Sequence, residues 1–356
     1  MIKSFAVENF RSLKQLELSN LSRVNILVGR SASGKTAALE AIRIALTGTP
    51  TVAWQVNSLR GVPMFMPPNP QRDQFESQWA SIFNDYDLGR SILFKLTDEL
   101  NQVTSLKIYF DQRNPITPST QLALGSSVPT TIVPLAFERV LLGGKTNKLY
   151  ATVNQQGHFH LDQGQDLRPN SEFFSSNWQS NATQMASWFS QISIDVNDQT
   201  KDIVNLICRQ FPEIADLAVQ APTQFPLLYA TLKYSNRKIP LSLVSSGINK
   251  FISLILAIRI FKGGVVLIDE MENGIYYQMF PIFWEALYQS AVETNTQLFL
   301  STHSWECLKA AVPLIEKHSD DFSLIQVFQD QGITKATSVS GSDAAAAIDS
   351  DIEVRR

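Results

Sequence analysis

Eight consecutive residues, Gly29-Arg30-Ser31-Ala32-Ser33-Gly34-Lys35-Thr36, place the tightest limit on what this chain can fold into. They match G-x-x-x-x-G-K-[ST]. They lie directly after the apolar run Val24–Val28 and before a helical pattern through Ala37, Leu39, Ala41, Ile42, Ala45 and Leu46 that stops at Gly48 and Pro50. In such a strand–loop–helix the glycines let backbone N–H groups wrap a phosphate, and the helix N-terminus adds positive potential. Lys35 then reaches the β- and γ-phosphates and the Thr36 hydroxyl can ligate Mg²⁺. The alternative is a glycine-rich turn with a chance lysine. Average residue usage produces such a match in roughly one chain in a hundred of this length, before the flanking strand and helix are required. The motif predicts nucleotide binding.

Two later segments fit the same chemistry. Val265–Ile268 is an apolar run that ends in Asp269-Glu270. An acidic pair after a core strand is common, but beside a phosphate loop phosphoryl transfer needs one carboxylate for the metal and another for the attacking water. Asp269 is assigned to the metal and Glu270 to the general base. Leu298-Phe299-Leu300-Ser301-Thr302-His303-Ser304 places a histidine just past the next apolar strand. A lone histidine is usually a capping or solvated residue; here His303 reads as a sensor of the γ-phosphate or of water.

Composition narrows the rest. Lys+Arg 30 against Asp+Glu 33 leaves a formal charge of −3, which argues against a general nucleic-acid coat or an electrostatic membrane binder while allowing a local basic groove. With 44% hydrophobic residues the chain can bury a sizeable core. Cys208 and Cys307 are too few for a disulfide framework, so a reducing cytoplasm is the expected setting. The apolar run Phe251–Phe261 contains Arg259 and is about half a membrane span, and the start Met1–Glu8 reads as a strand rather than a secretory signal.

At about 150 residues per domain, 356 residues allow two or three domains. Residues 49–75, with Pro63, Pro67, Pro68 and Pro70, read as a loop or mobile insertion, followed by a short helix with Trp79, Ile82 and Phe83. Residues 91–162 show short antiparallel strands, and 171–211 two helical patterns, neither with the heptads of a long coiled coil. Strands near 227–234 and 239–243 lead to a helix from about Gly247 to Phe261. The order Val265–Ile268, helix, Gln297–Leu300, helix then implies a parallel sheet. His158 and His160, one residue apart in a strand pattern, read as surface rather than metal ligands. Phe75, Trp79, Phe83 and Tyr86 have the helical spacing of core packing. Phe5 or Phe10 is either a stacking surface for adenine or core.

Leu241–Lys250, with Ser245-Ser246-Gly247 at a helix start, resembles the loop-to-helix signature of ABC-type ATPases, although Ser245 or Ser246 would also serve as an ordinary N-cap. Taken with Glu8-Asn9-Phe10-Arg11-Ser12, the phosphate loop, Leu267–Gly274 and Leu300–Ser304, the chain resembles the ABC-type AAA ATPases related to the OLD (overcoming lysogenisation defect) proteins. RecF and the SMC-type ATPase heads are more distant relatives. The resemblance implies an α/β P-loop NTPase of the ABC-ATPase head type, with a mixed central sheet flanked by helices. It places a discontinuous core at 1–48 and 225–356 and a lateral insertion at 49–224: loop and helix to 90, β-rich from 91 to 165, helical from 166. It implies a head-to-head homodimer around two ATP and Mg²⁺, with Lys35, Thr36, Asp269, Glu270 and His303 from one subunit and Ser245–Gly247 from the other. Arg11 would sit near the phosphates, or be an exposed strand-end arginine.

Departures from the family are Ser31 where asparagine is usual, Tyr276 and Tyr277 where histidine is common, and no glutamine in Thr131–Arg139 to join the metal site to the lateral part. About fifty residues follow His303, too few for a TOPRIM nuclease domain. The expected function is an ATP-hydrolysing switch for a separate effector, a nuclease or toxin of a bacterial defence system by fold-level analogy. The alternatives are a RecF-like ATP-dependent DNA clamp and a non-hydrolysing scaffold; the presence of both Asp269 and Glu270 argues against the latter.

Overall fold

The computed structural model describes residues 1–63, 65–118, 131–164, 171–178, 181–194, 200–222, 224–234 and 237–355. In chain order the first part contains β1 (Ile2–Phe10), β2 (Leu13–Leu18), β3 (Val24–Val28), α1 (Lys35–Thr47), α2 (Pro50–Ser58) and α3 (Arg72–Ala80). Next come β4 (Ile92–Asp98), β5 (Val103–Phe110), β6 (Leu135–Val140), β7 (Thr146–Val153), β8 (Phe159–Leu161) and β9 (Ser171–Phe174). These lead to α4 (Ala182–Ile194), α5 (Thr200–Gln210), β10 (Ile214–Gln220), β11 (Leu227–Leu232) and β12 (Lys238–Pro240). The last part holds α6 (Ser246–Ile260), β13 (Val265–Ile268), α7 (Phe280–Thr294), β14 (Gln297–Ser301), α8 (Trp305–Lys317), β15 (Phe322–Asp330), β16 (Ile333–Ser340) and α9 (Gly341–Asp349).

A six-stranded sheet ordered β16-β15-β3-β14-β13-β9 is the frame of the site. Its strands run parallel except β16, which folds back on β15. Every residue of β3, β13 and β14 is buried, the pattern of strands covered on both faces. Alternate side chains feed two cores. Val24, Ile26, Val266, Ile268, Leu298 and Leu300 pack with α4 and α6–α9, whereas Leu27, Val265, Leu267 and Phe299 pack with α1 and the second sheet.

That second sheet has seven antiparallel strands, β2-β1-β4-β5-β6-β7-β8, so strands from residues 91–161 pair with the N-terminal β1 through β4. Helix α1 lies between the two sheets and is buried on nearly every side, as its run of Ala, Leu and Ile requires. It ends where Gly48, at φ 64°, donates its N–H to Ile44 O.

The elements depart from the sequence expectation in three places. Part of the loop expected over 49–75 is helix α2: Thr49 Oγ1 accepts the Val52 N–H, and Pro50, which cannot continue α1, fits the first turn of a new helix. Within the expected helical stretch 166–224, β9 is an edge strand of the central sheet beside β13, and β10 joins β11 and β12 in a small sheet. Parts of that stretch, and of 91–165, lie outside the described residues. The strands expected near 227–234 and 239–243 are β11 and β12 of this small sheet. Phe5, Phe10, Phe75, Trp79 and Phe83 are core, while Tyr86 is exposed. His158 and His160 are exposed, and His160 faces Asp162. Among the described residues no helix is long and apolar enough to cross a membrane.

Candidate functional site

The loop after β3 has the backbone its glycines allow. Gly29 sits at φ 149°, where a Cβ would come 2.1 Å from Val327 O, and Gly34 caps α1 at φ 109°. No acidic residue occupies the first turn of α1, so its terminal N–H groups keep their positive potential for a ligand. Arg30, Ser31 and Ala32 are exposed; Ser33 Oγ is buried without a hydrogen-bond partner among the described residues. Lys35 folds back into the loop, its Nζ donating to Gly29 O at 2.8 Å and Arg30 O at 3.0 Å. Burial pushes this ammonium down to about 8, against the opposing pull of Asp269, Glu270 and Glu272.

At the ends of β13 and β14 the acids meet this loop. Thr36 Oγ1 donates to Asp269, 2.9 and 3.1 Å from its two carboxylate oxygens, and Ser301 Oγ donates to Asp269 Oδ1 at 2.6 Å. Hydroxyl and carboxylate oxygens suit a hard cation such as Mg²⁺, which keeps water and phosphate oxygens as its other ligands. No group of three acid, histidine or cysteine side chains that could hold a metal by itself occurs among the described residues. The donor set fits a cation shared with a nucleotide.

Glu270 turns out of the strand direction at φ 47°. Its N–H donates to Ser301 Oγ at 2.8 Å, and Asn273 Nδ2 donates to its Oε2 at 2.6 Å. Lys250, on α6, donates from Nζ to the carbonyls of Glu270, Met271 and Asn273 at 3.0–3.2 Å. Burial lowers this ammonium too, to about 8. Glu272 Oε1 accepts the N–H groups of His303 and Ser304 at 2.7 and 3.1 Å. His303 is half-buried and lines a 420 Å³ cavity with Gly29, Arg30, Glu353 and Arg355.

Lys35, Thr36, Asp269, Glu270 and His303 are therefore gathered at one edge of the central sheet. Ser245 and Ser246 are exposed at the start of α6, where neither makes a side-chain cap of the kind a plain N-cap serine provides. Gly247 packs so closely that a Cβ would lie 2.6 Å from Gly274 O. Arg11, at φ 49°, is half-buried rather than exposed: its Nε lies 2.9 Å from Glu40 Oε2 of α1, the helix that follows the phosphate loop, and its Nη2 donates to Asn57 Oδ1 at 3.2 Å. Glu40 is also paired with Arg60 Nε at 2.7 Å, and both arginines line a 960 Å³ cavity with Lys14, Ala37 and Asn84. Sequence reasoning missed Lys250, Glu272, Asn273 and Ser301 as holders of the site, although all four lie inside the quoted motifs.

The model of the family described as AAA ATPase domain matches residues 1–126 and 142–308. An "ATP/GTP phosphatase" of Helicobacter pylori is 22% identical over 343 residues, 87% of each chain. An uncharacterized protein of Methanocaldococcus jannaschii is 31% identical over 62 residues, 17% of this chain and 28% of the other. Among solved structures, an SMC head bound to the C-winged helix domain of ScpA has TM-score 0.51 and 12% identity, covering 97% of this chain and 99% of that one, a likeness of fold. Phosphate loop, acid-tipped neighbouring strand and family match agree: the chain belongs to the AAA ATPase domain family and is an ATPase with the SMC-head type of P-loop fold.

Proposed function

We propose that this ATPase is a dimeric, ATP-gated switch for a separate effector protein. The observation that carries the reading is Glu270, turned out of β13 beside the Asp269–Thr36 pair and held by Asn273 and Ser301. A carboxylate so placed is equipped for turnover, not only for binding.

In this reading Lys35 and the N–H groups of Gly29–Thr36 hold the phosphates, and Thr36 and Asp269 would hold Mg²⁺, which when bound would neutralise charge on the phosphate oxygens. Glu270 takes a proton from the attacking water as its oxygen bonds to the γ-phosphorus and the bond to the ADP oxygen breaks. His303 faces the terminal phosphate. The exposed Ser245–Gly247 turn is offered to the nucleotide of a second copy, with residues 1–48 and 225–356, joined by β9, as the ATPase core and the rest of 49–224 as its lateral part. The effector is proposed as a nuclease or toxin of a defence system.

Steady-state ATPase assays test the chemistry: Lys35→Ala should abolish turnover, and Glu270→Gln should abolish it while ATP still binds. Static light scattering tests the switch. With ATP, Glu270→Gln should double in mass; a protein that stays monomeric at saturating ATP would sink the dimer. Tight, ATP-dependent, salt-sensitive DNA binding by the chain alone would favour the clamp reading instead.

A further inference from the structure

We infer that Arg355 is a positioning residue for His303, so that the C-terminal stretch 353–355 forms part of the nucleotide site. The inference rests on the reading of His303 as the γ-phosphate sensor. Three observations carry it.

The stretch is anchored at the level of the phosphate loop. Val354 is buried in the helix-covered core, and its carbonyl accepts from Gln326 Nε2 at 3.1 Å. Gln326 is the β15 partner of Val28, the residue before Gly29. Arg355 is thereby delivered to the cavity it shares with Gly29, Arg30 and His303.

The peptide groups around His303 are gripped from both sides. Glu272 takes the N–H groups of His303 and Ser304, and Arg355 Nη1 donates to His303 O at 2.7 Å. The Arg355 guanidinium also lies 5.2 Å from the ring centroid of Trp305, the first residue of α8, which ties it to the same loop-to-helix junction. With the backbone fixed on both sides, the imidazole keeps only its side-chain torsions.

Each of the three guanidinium nitrogens of Arg355 already donates one hydrogen bond. Nε and Nη2 donate to the two carboxylate oxygens of Glu353 at 2.8 and 2.7 Å. A guanidinium whose Nε–Nη2 fork is taken by a carboxylate and whose Nη1 donates to the His303 carbonyl is oriented by, and in turn holds, the loop.

The test is a double-mutant cycle in steady-state ATPase kinetics on the full chain. Arg355→Ala should lower kcat about tenfold with little change in KM for ATP, the scale of a displaced reacting group. Arg355→Lys should restore part of the loss. In a His303→Ala background Arg355→Ala should add nothing further. Full additivity of the two losses, an unchanged kcat in Arg355→Ala, or a raised KM with kcat intact would overturn the proposal. A normal kcat in His303→Ala alone would instead remove the sensor reading beneath it. Should Arg355→Ala fail to fold by circular dichroism, Glu353→Gln keeps the Val354 anchor and loosens the guanidinium. It should give a smaller kcat loss that likewise disappears in the His303→Ala background, and a fully additive loss there would overturn the proposal.

Discussion

Lys35 gives two of its three N–H donors to carbonyls of its own loop, so a phosphate competes with Gly29 and Arg30 for the ammonium. Burial sets its pKa near 8 without ligand. A bound phosphate favours the charged form, so above that pH binding takes up a proton. ATP affinity should therefore be flat below pH 8 and fall by up to about tenfold per unit above it. Titration calorimetry across pH 7 to 9.5 checks this, with Lys35→Arg predicted to be level over the same range. Ser301 gives a second outcome at this scale. Its hydroxyl donates to Asp269 and accepts from Glu270 N–H, so Ser301→Ala should raise the Mg²⁺ concentration needed for half-maximal turnover by about tenfold. A Mg²⁺ titration of the ATPase rate reads it directly. Asp269, Glu270 and His303 were legible because each follows an apolar strand. Ser301, Glu272 and Lys250 were not, because each works on a group 20 or more residues away, a contact that local periodicity does not encode. The ion pair of Arg11 was not legible for the same reason: its partner, Glu40, is on α1.

Among the elements, the strands β13 and β14 and helices α1, α6, α7 and α8 follow the apolar pattern closely. Their neighbours show what pattern alone leaves open. Gly48 and Pro50 read as a stop, and they do stop α1, but the same proline opens α2. Thr49→Ala removes the cap of α2 and should cost about 1 kcal/mol in urea unfolding, with kcat unchanged. Strand β9 was hidden because four residues, Ser-Glu-Phe-Phe, carry too little alternation to be seen. Only pairing with β13 makes them a strand. The seven-stranded sheet was half legible. Its short antiparallel strands could be read, whereas the joining of β4 to β1, across more than 80 residues, could not.

For the molecule as a whole, one helix, buried on nearly every side, separates two sheets and carries the phosphate loop at its N-terminus. The near-zero charge balance suits an enzyme whose partner is another protein more than one that coats DNA. The grip of Lys250 on the carbonyls of Glu270, Met271 and Asn273 has a consequence at this scale. In the proposed dimer, α6 would present Ser245–Gly247 to the neighbour's nucleotide while Glu270 would serve the subunit's own. Lys250 fastens the first to the second, so each head would feel its neighbour's nucleotide at its own catalytic carboxylate, and the two sites would fire as a linked pair. ATP dependence of the wild-type rate should then be sigmoidal. Lys250→Met, which leaves three carbonyls without their donor, should lower stability by roughly 1–3 kcal/mol and bring the Hill coefficient back toward one.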